Sequence, residues 1–232
     1  SSLGSTTTGA NNTAVGKSSL AANTTGASNT ALGALALDAN TTGGQNVAVG
    51  DNALGANTTA DYNTALGTST LQLNTTGANN VATGAFSLTA NTTGDSNVAM
   101  GYQALKSNTT ASNNTAIGDQ ALEFNTTGAN NVAVGSGAAD ALTTAGGTTA
   151  IGSNAMGTGV VTGDHNTAVG YLAGAALTSG VSNTFTGTVS GDATTTGSYN
   201  TAVGRGSLSA NTTASNNTAV GYSALLLNTT GA

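Results

Sequence analysis

A short phrase that returns at a fixed distance constrains this chain more than any other feature. Asn-Thr-Ala-Val-Gly, with small variation, starts at Asn12, Asn29, Asn46, Asn63, Asn80, Asn97, Asn114 and Asn131, each step being 17 residues. Thr148 takes the next place and one extra residue follows. The count then resumes at Asn166, Asn183, Asn200 and Asn217, giving thirteen repeats in 232 residues. Self-similarity at such a period marks a chain built from stacked, physically equivalent units. Residues 1–232 are therefore expected to form a single repeat array, irregular over about 139–199. The array opens and closes in mid-repeat and begins without Met, so it reads as an excerpt of a longer fibre.

With the Asn as position 1, the repeat resolves into columns. Position 5 is Gly in all thirteen repeats, and position 3 is Ala in twelve, with Phe185 the exception. Position 4 is mostly aliphatic, position 9 is usually Leu, and positions 12 to 14 usually read Asn-Thr-Thr. Most of the charge falls on the freely varying positions 6, 7, 10, 16 and 17. Alternation by two marks strands, so positions 2 and 4 share one face and positions 9, 11 and 13 another. Both faces are expected to fill a narrow interior. The Ala column of Ala14, Ala31, Ala48, Ala65, Ala82, Ala99, Ala116 and Ala133 would then point away from it. A nearly unbroken column of Ala implies close approach of another surface. That surface is a neighbouring subunit or another wall of the same coil.

Gly, Thr and Asn every few residues oppose a helix, and Gly at position 5 suits a tight corner. The expected fold is all-β: a parallel β-roll, or β-solenoid, of about thirteen coils of 17 residues, with two or three short strands per coil. At roughly 4.8 Å per coil the array would extend about 60 Å. This architecture accounts for a composition with only 5% charged and 3% aromatic residues. A single thin column of Val, Leu and Ala can serve as core where backbone ladders and stacked Asn and Thr supply the rest.

Several function classes recede on the same numbers. The chain has no Cys, hence no disulfide framework or thiolate metal site. Its net charge is −6 and only Lys17, Lys106 and Arg205 are basic, so no footprint for nucleic acid or anionic lipid exists. No apolar run approaches the ~18 residues of a membrane span. One His and nine carboxylates leave little for a catalytic network, and no cofactor or metal is expected. His165 replaces Asn11, Ser28, Gln45 and Tyr62 at position 17, which reads as a surface substitution. Among the acids, only Glu123 and Asp140 share a position in adjacent coils. They read as exposed like charges rather than as a cation site.

The phrases Asn79-Asn80-Val81-Ala82-Thr83-Gly84, Ser96-Asn97-Val98-Ala99-Met100-Gly101 and Asn130-Asn131-Val132-Ala133-Val134-Gly135 resemble the head repeats of YadA-type trimeric autotransporter adhesins. The fuller unit from Asn97 to Asn113 is similar to repeats in phage and viral tail fibres. The resemblance covers essentially the whole chain. It implies a left-handed parallel β-roll, a homotrimer and an extracellular, cell-surface or virion-borne fibre. The coil here is longer than the usual adhesin coil, so its corners or outer strand must differ.

The Asn-Thr-Thr column is the most informative surface candidate. Asn23, Asn40, Asn57, Asn74, Asn91, Asn108, Asn125, Asn211 and Asn228 each begin an Asn-x-Thr sequon. With positions 9, 11 and 13 inward, positions 12 and 14 are expected to face out. A ladder of stacked polar side chains is the preferred reading; a column of N-glycans and an ice-binding plane are the others. The irregular stretch reads as a bulged coil, or as a lateral contact or receptor site.

Together these features point to a non-enzymatic structural fibre segment that partners itself, as a trimer or filament, and engages a host receptor or glycan. The other class is a carbohydrate- or ice-binding surface along the Asn-Thr-Thr column. The fold is directly testable: the assembled protein should give a β-dominated far-ultraviolet circular dichroism spectrum, and a random-coil spectrum would exclude a solenoid.

Overall fold

The computed structural model describes residues 3–5 and 8–231. It contains thirteen β-strands, one per repeat, and no helix among the described residues. The chain divides between Asn114 and Thr115 into two compact units. The first carries β1 (Thr13–Val15), β2 (Thr30–Leu32), β3 (Val47–Val49), β4 (Thr64–Leu66), β5 (Val81–Thr83) and β6 (Val98–Met100). The second carries β7 (Thr115–Ile117), β8 (Val132–Val134), β9 (Thr149–Ile151), β10 (Thr167–Val169), β11 (Thr184–Thr186), β12 (Thr201–Val203) and β13 (Thr218–Val220).

Within each unit consecutive strands pair in parallel and in register, so like residues stack on like. Thr13 faces Thr30 and Ala14 faces Ala31; in the second unit Thr201 faces Thr218 and Ala202 faces Ala219. The fold is thus the expected β-solenoid. Each coil holds a single three-residue strand, however, not two or three. Positions 6 to 11 form a run of turns whose backbone groups still bond coil to coil, as in Leu37 N–H to the Ala53 carbonyl at 3.0 Å.

Those turns use left-handed backbone at positions that are not glycine. Positions 7, 9 and 17 have φ near +55° in nearly every coil, including Leu37 at 51° and Asn79 at 60°. Asn tolerates this region; Leu does not, at a cost of about 1–2 kcal/mol. Full burial of a Leu side chain returns about 1.5–3 kcal/mol, and Leu20, Leu37, Leu54, Leu71 and Leu88 are all completely buried. The turn is therefore held by packing at position 9, not by local preference. Position 5 is different: Gly33 has φ 145°, and a Cβ there would collide with the backbone of Gly50 in the next coil. Both conformation and stacking demand glycine.

The strand faces are the reverse of the expected ones. Position 3 points inward: Ala31, Ala48, Ala65, Ala82, Ala99, Ala116 and Ala133 are fully buried within the isolated chain, and Ala14 at the first strand is half-buried. These residues are not a subunit contact; the second reading of the Ala column, packing against another wall of the same coil, is the correct one. Positions 2 and 4 face outward, as the pattern of one buried residue between two more exposed ones shows in β2, β4 and β7.

Position 9 lies across the interior from position 3. Phe185 proves it: its ring occupies the space where side chains would stand on Gly174 and Gly191, the position-9 residues of its own coil and the preceding one. Two missing Leu side chains make room for one Phe. Phe185→Ala should cost about 3–5 kcal/mol through the cavity it leaves, and Gly191→Leu should also destabilise, through overpacking. The triple change Phe185→Ala, Gly174→Leu, Gly191→Leu restores the ordinary coil and should recover most of that loss in urea denaturation. Additive losses would refute the compensation.

Candidate functional surface

The Asn-Thr-Thr column is built from the inside. From position 12 onward every third residue turns inward, so Asn23, Gly26 and Asn29 are buried while Thr25 and Ser28 are exposed. Asn23, Asn40, Asn57, Asn74, Asn91, Asn108, Asn125 and Asn211 have no exposed surface, and Asn228 is half-buried. The expectation that position 12 faces out is therefore wrong, because a three-residue period replaces strict alternation here. Asn57 shows the consequence. Its Nδ2 donates to the Ala60 carbonyl at 3.1 Å and to Asn40 Oδ1 at 2.8 Å, while its own Oδ1 accepts from Asn74 Nδ2 at 3.2 Å.

From Asn23 to Asn108 the amides form a ladder of side-chain bonds from coil to coil. In the fully buried members Nδ2 is enclosed and bonded, as Asn57 shows, which leaves no room for a glycan there; Asn228 is only half-buried. Of the three residues only the position-14 Thr presents itself fully; the position-13 Thr is half-buried and donates to the next coil, as Thr41 Oγ1 does to the Thr58 carbonyl at 3.0 Å. A carbohydrate- or ice-binding plane along this column would have to work without the Asn amides.

A second buried Asn column runs beside it at position 1, which sequence reasoning left unassigned to any bond. Asn46 Nδ2 donates to the Ala60 carbonyl at 2.8 Å, the same oxygen that Asn57 uses. Its Oδ1 accepts the backbone N–H of Asn63 at 2.9 Å. The near-invariance of position 1 was the available signal. Its meaning required knowing that position 15 lies next to it.

The surface that the fold does expose is the outer face of the parallel sheet. Position 2 is Thr or Val throughout, and position 4 is aliphatic, Met or Thr; neither carries a charge in any of the thirteen repeats. Large side chains stand open there: Leu32, Leu66, Val81 and Met100 in the first unit, Ile117, Val132, Ile151 and Val203 in the second. Aromatic residues line its flanks at positions 6, 7 and 17. Phe86 and Tyr102 meet edge to face at 6.1 Å, and Arg205 lies 5.8 Å over the Tyr222 ring, with Tyr62 exposed at position 17. The chain matches no protein-family model, no curated protein and no solved structure.

The ionisable groups are scattered. No three His, Cys, Asp or Glu side chains gather among the described residues. His165 is exposed, as expected of a surface substitution. Glu123 is not exposed as expected: it is buried, and its Oε2 accepts from Gln120 Nε2 at 2.9 Å. Burial holds the Asp140 carboxyl above its ordinary range, opposed by the Ala141 N–H and reinforced by the charge of Glu123. The two acids are a like-charge pair.

Removing one amide from the ladder tests how far it supports the coil. Asn57→Ala strands Asn40 Oδ1 and removes one of the two acceptors of Asn74 Nδ2, so it should cost about 2–3 kcal/mol in chemical denaturation. Thr59→Ala, on the exposed rung of the same triplet, should change stability by less than about 0.5 kcal/mol.

Proposed function

We propose that this chain is a structural segment of a homotrimeric fibre carried outside a cell or on a virion, and that its sheet faces are turned toward one another. The observation that carries the reading is the outer sheet face, two side chains wide and free of charge through thirteen repeats. The charged residues of the coil fall on positions 6, 10 and 16, and the sheet face carries none of them. Position 4 gives this face a mostly aliphatic stripe beside the Thr and Val of position 2, and exposed apolar surface marks an interaction site. A repeated, self-similar face is suited to a closed symmetric assembly of identical chains. Aliphatic and Thr side chains on neighbouring copies can interdigitate without unpaired buried charge, which is what a long-lived oligomer needs.

In this reading the protein acts by geometry. The coils space or project an adhesive or receptor-binding element, and no chemistry is performed along the repeats. The resemblance of the repeat phrases to adhesin heads and tail-fibre repeats supports the same conclusion.

Light scattering on the full chain tests it. The wild type should have three times the monomer mass at micromolar concentration. Leu66→Lys with Met100→Lys places charges on the face and should give monomers with an unchanged circular dichroism spectrum. A monomeric wild type, or a variant that stays trimeric, would overturn the proposal.

A further inference from the structure

Position 17 carries a side chain in every coil but one. Asn130, Gly147 and His165 occupy it in three successive coils, and Gly147 leaves a gap between the other two. Position 16 is also empty there, because Gly146 precedes Gly147. With coils about 4.8 Å apart, the backbones of Asn130 and His165 stand about 10 Å from each other across the gap. The result is an open notch of about 470 Å³ lined by Ala129, Asn130, Thr144, Gly146, Gly147, Asp164 and His165.

The walls of the notch are polar and aimed at it. The His165 ring leans over the glycine, its Cδ2 lying 2.9 Å and its Nε2 3.4 Å from where a Cβ of Gly147 would be. Asp164 Oδ1 accepts the Gly146 N–H at 2.8 Å, which fixes the exposed carboxylate at the rim. Asn130 supplies an amide and Thr144 a hydroxyl. Three of these four groups can donate and accept, the fourth only accepts, and no Lys or Arg is present. Such a set suits a neutral ligand rich in hydroxyls and disfavours an anion. The volume lies within the range of small-molecule sites.

We propose that this notch binds a single neutral saccharide unit, with Asp164, Asn130 and Thr144 bonding ring hydroxyls and the His165 imidazole packing against the sugar face. The site does not depend on the fibre reading, since all its residues belong to one chain. His165 is the only histidine, so its Hδ2 and Hε1 proton signals report on the notch without assignment of the rest. Titration with methyl α-mannoside, methyl β-galactoside and N-acetylglucosamine should move those signals saturably for at least one sugar, with millimolar affinity. Gly147→Asn places there the residue that Asn79, Asn113 and Asn130 already hold at this backbone conformation; its side chain takes up the gap and pushes the His165 ring aside, so it should abolish the saturable shift. Thr144→Ala should weaken it about 2- to 10-fold, the value of one neutral hydrogen bond. No saturable shift with any of the three sugars would overturn the proposal. So would an undiminished shift in Gly147→Asn, or a response to methylammonium in place of the sugars, which would mark a cation site.

Discussion

The coil depends on a carboxamide bond made at the start of each repeat. The position-1 Asn donates to the adjacent carbonyl at position 15 of its own coil, as Asn29 does to Gly43 at 2.8 Å. Its oxygen meanwhile accepts the main-chain N–H of the next position-1 Asn, at 3.0 Å from Asn46. One side chain thereby closes a coil and joins it to its neighbour. The position-12 Asn uses the second lone pair of the same carbonyl, Asn40 lying 2.9 Å from the Gly43 oxygen. Buried polar groups are tolerated only when they are satisfied. Here amide and carbonyl satisfy each other repeatedly, which is how a chain with so little apolar bulk can bury so many polar side chains.

This dependence explains what could and could not be read in advance. The period, the parallel stacking, the corner glycine and the polar ladder all follow from one-dimensional spacing, because like residues must meet like across coils. The direction of each column does not. Alternation says that Ala31 and Leu32 oppose each other; it does not say which is inside. Leu32 is the more apolar, yet Ala31 is the one that fits opposite the large Leu37 in so thin a coil. Left-handed backbone at Leu37 was equally hidden, since its local preference runs against it and only tertiary packing sustains it. The notch at Gly147 was legible as a missing side chain, but its neighbours across the coils were not.

The irregular coils show how the scheme is adjusted without being abandoned. Thr148 stands where an Asn belongs and cannot reach the carbonyl of Gly163; Asn166, from the next coil, bonds that oxygen at 2.9 Å as well as Gly180 at 2.8 Å. Leu142, Val161 and Leu177 fill the buried place of position 12, exchanging amides for apolar contact. Position 9 shrinks in step, to Ala139 beside Leu142 and Gly174 beside Leu177. The extra residue is absorbed in the same stretch, and an isolated parallel bridge between Leu142 and Val161 returns the chain to register.

In a perfectly uniform stack, displacing one segment by a whole repeat would bring every residue against an identical partner and would raise almost no energetic objection. The Phe185 ring, seated in the hollows left by Gly174 and Gly191, removes that degeneracy. Shifted by seventeen residues, it would meet Leu208 on one side or Met156 on the other. The misfit is thus an address: it tells an otherwise monotonous chain where along its own length it is.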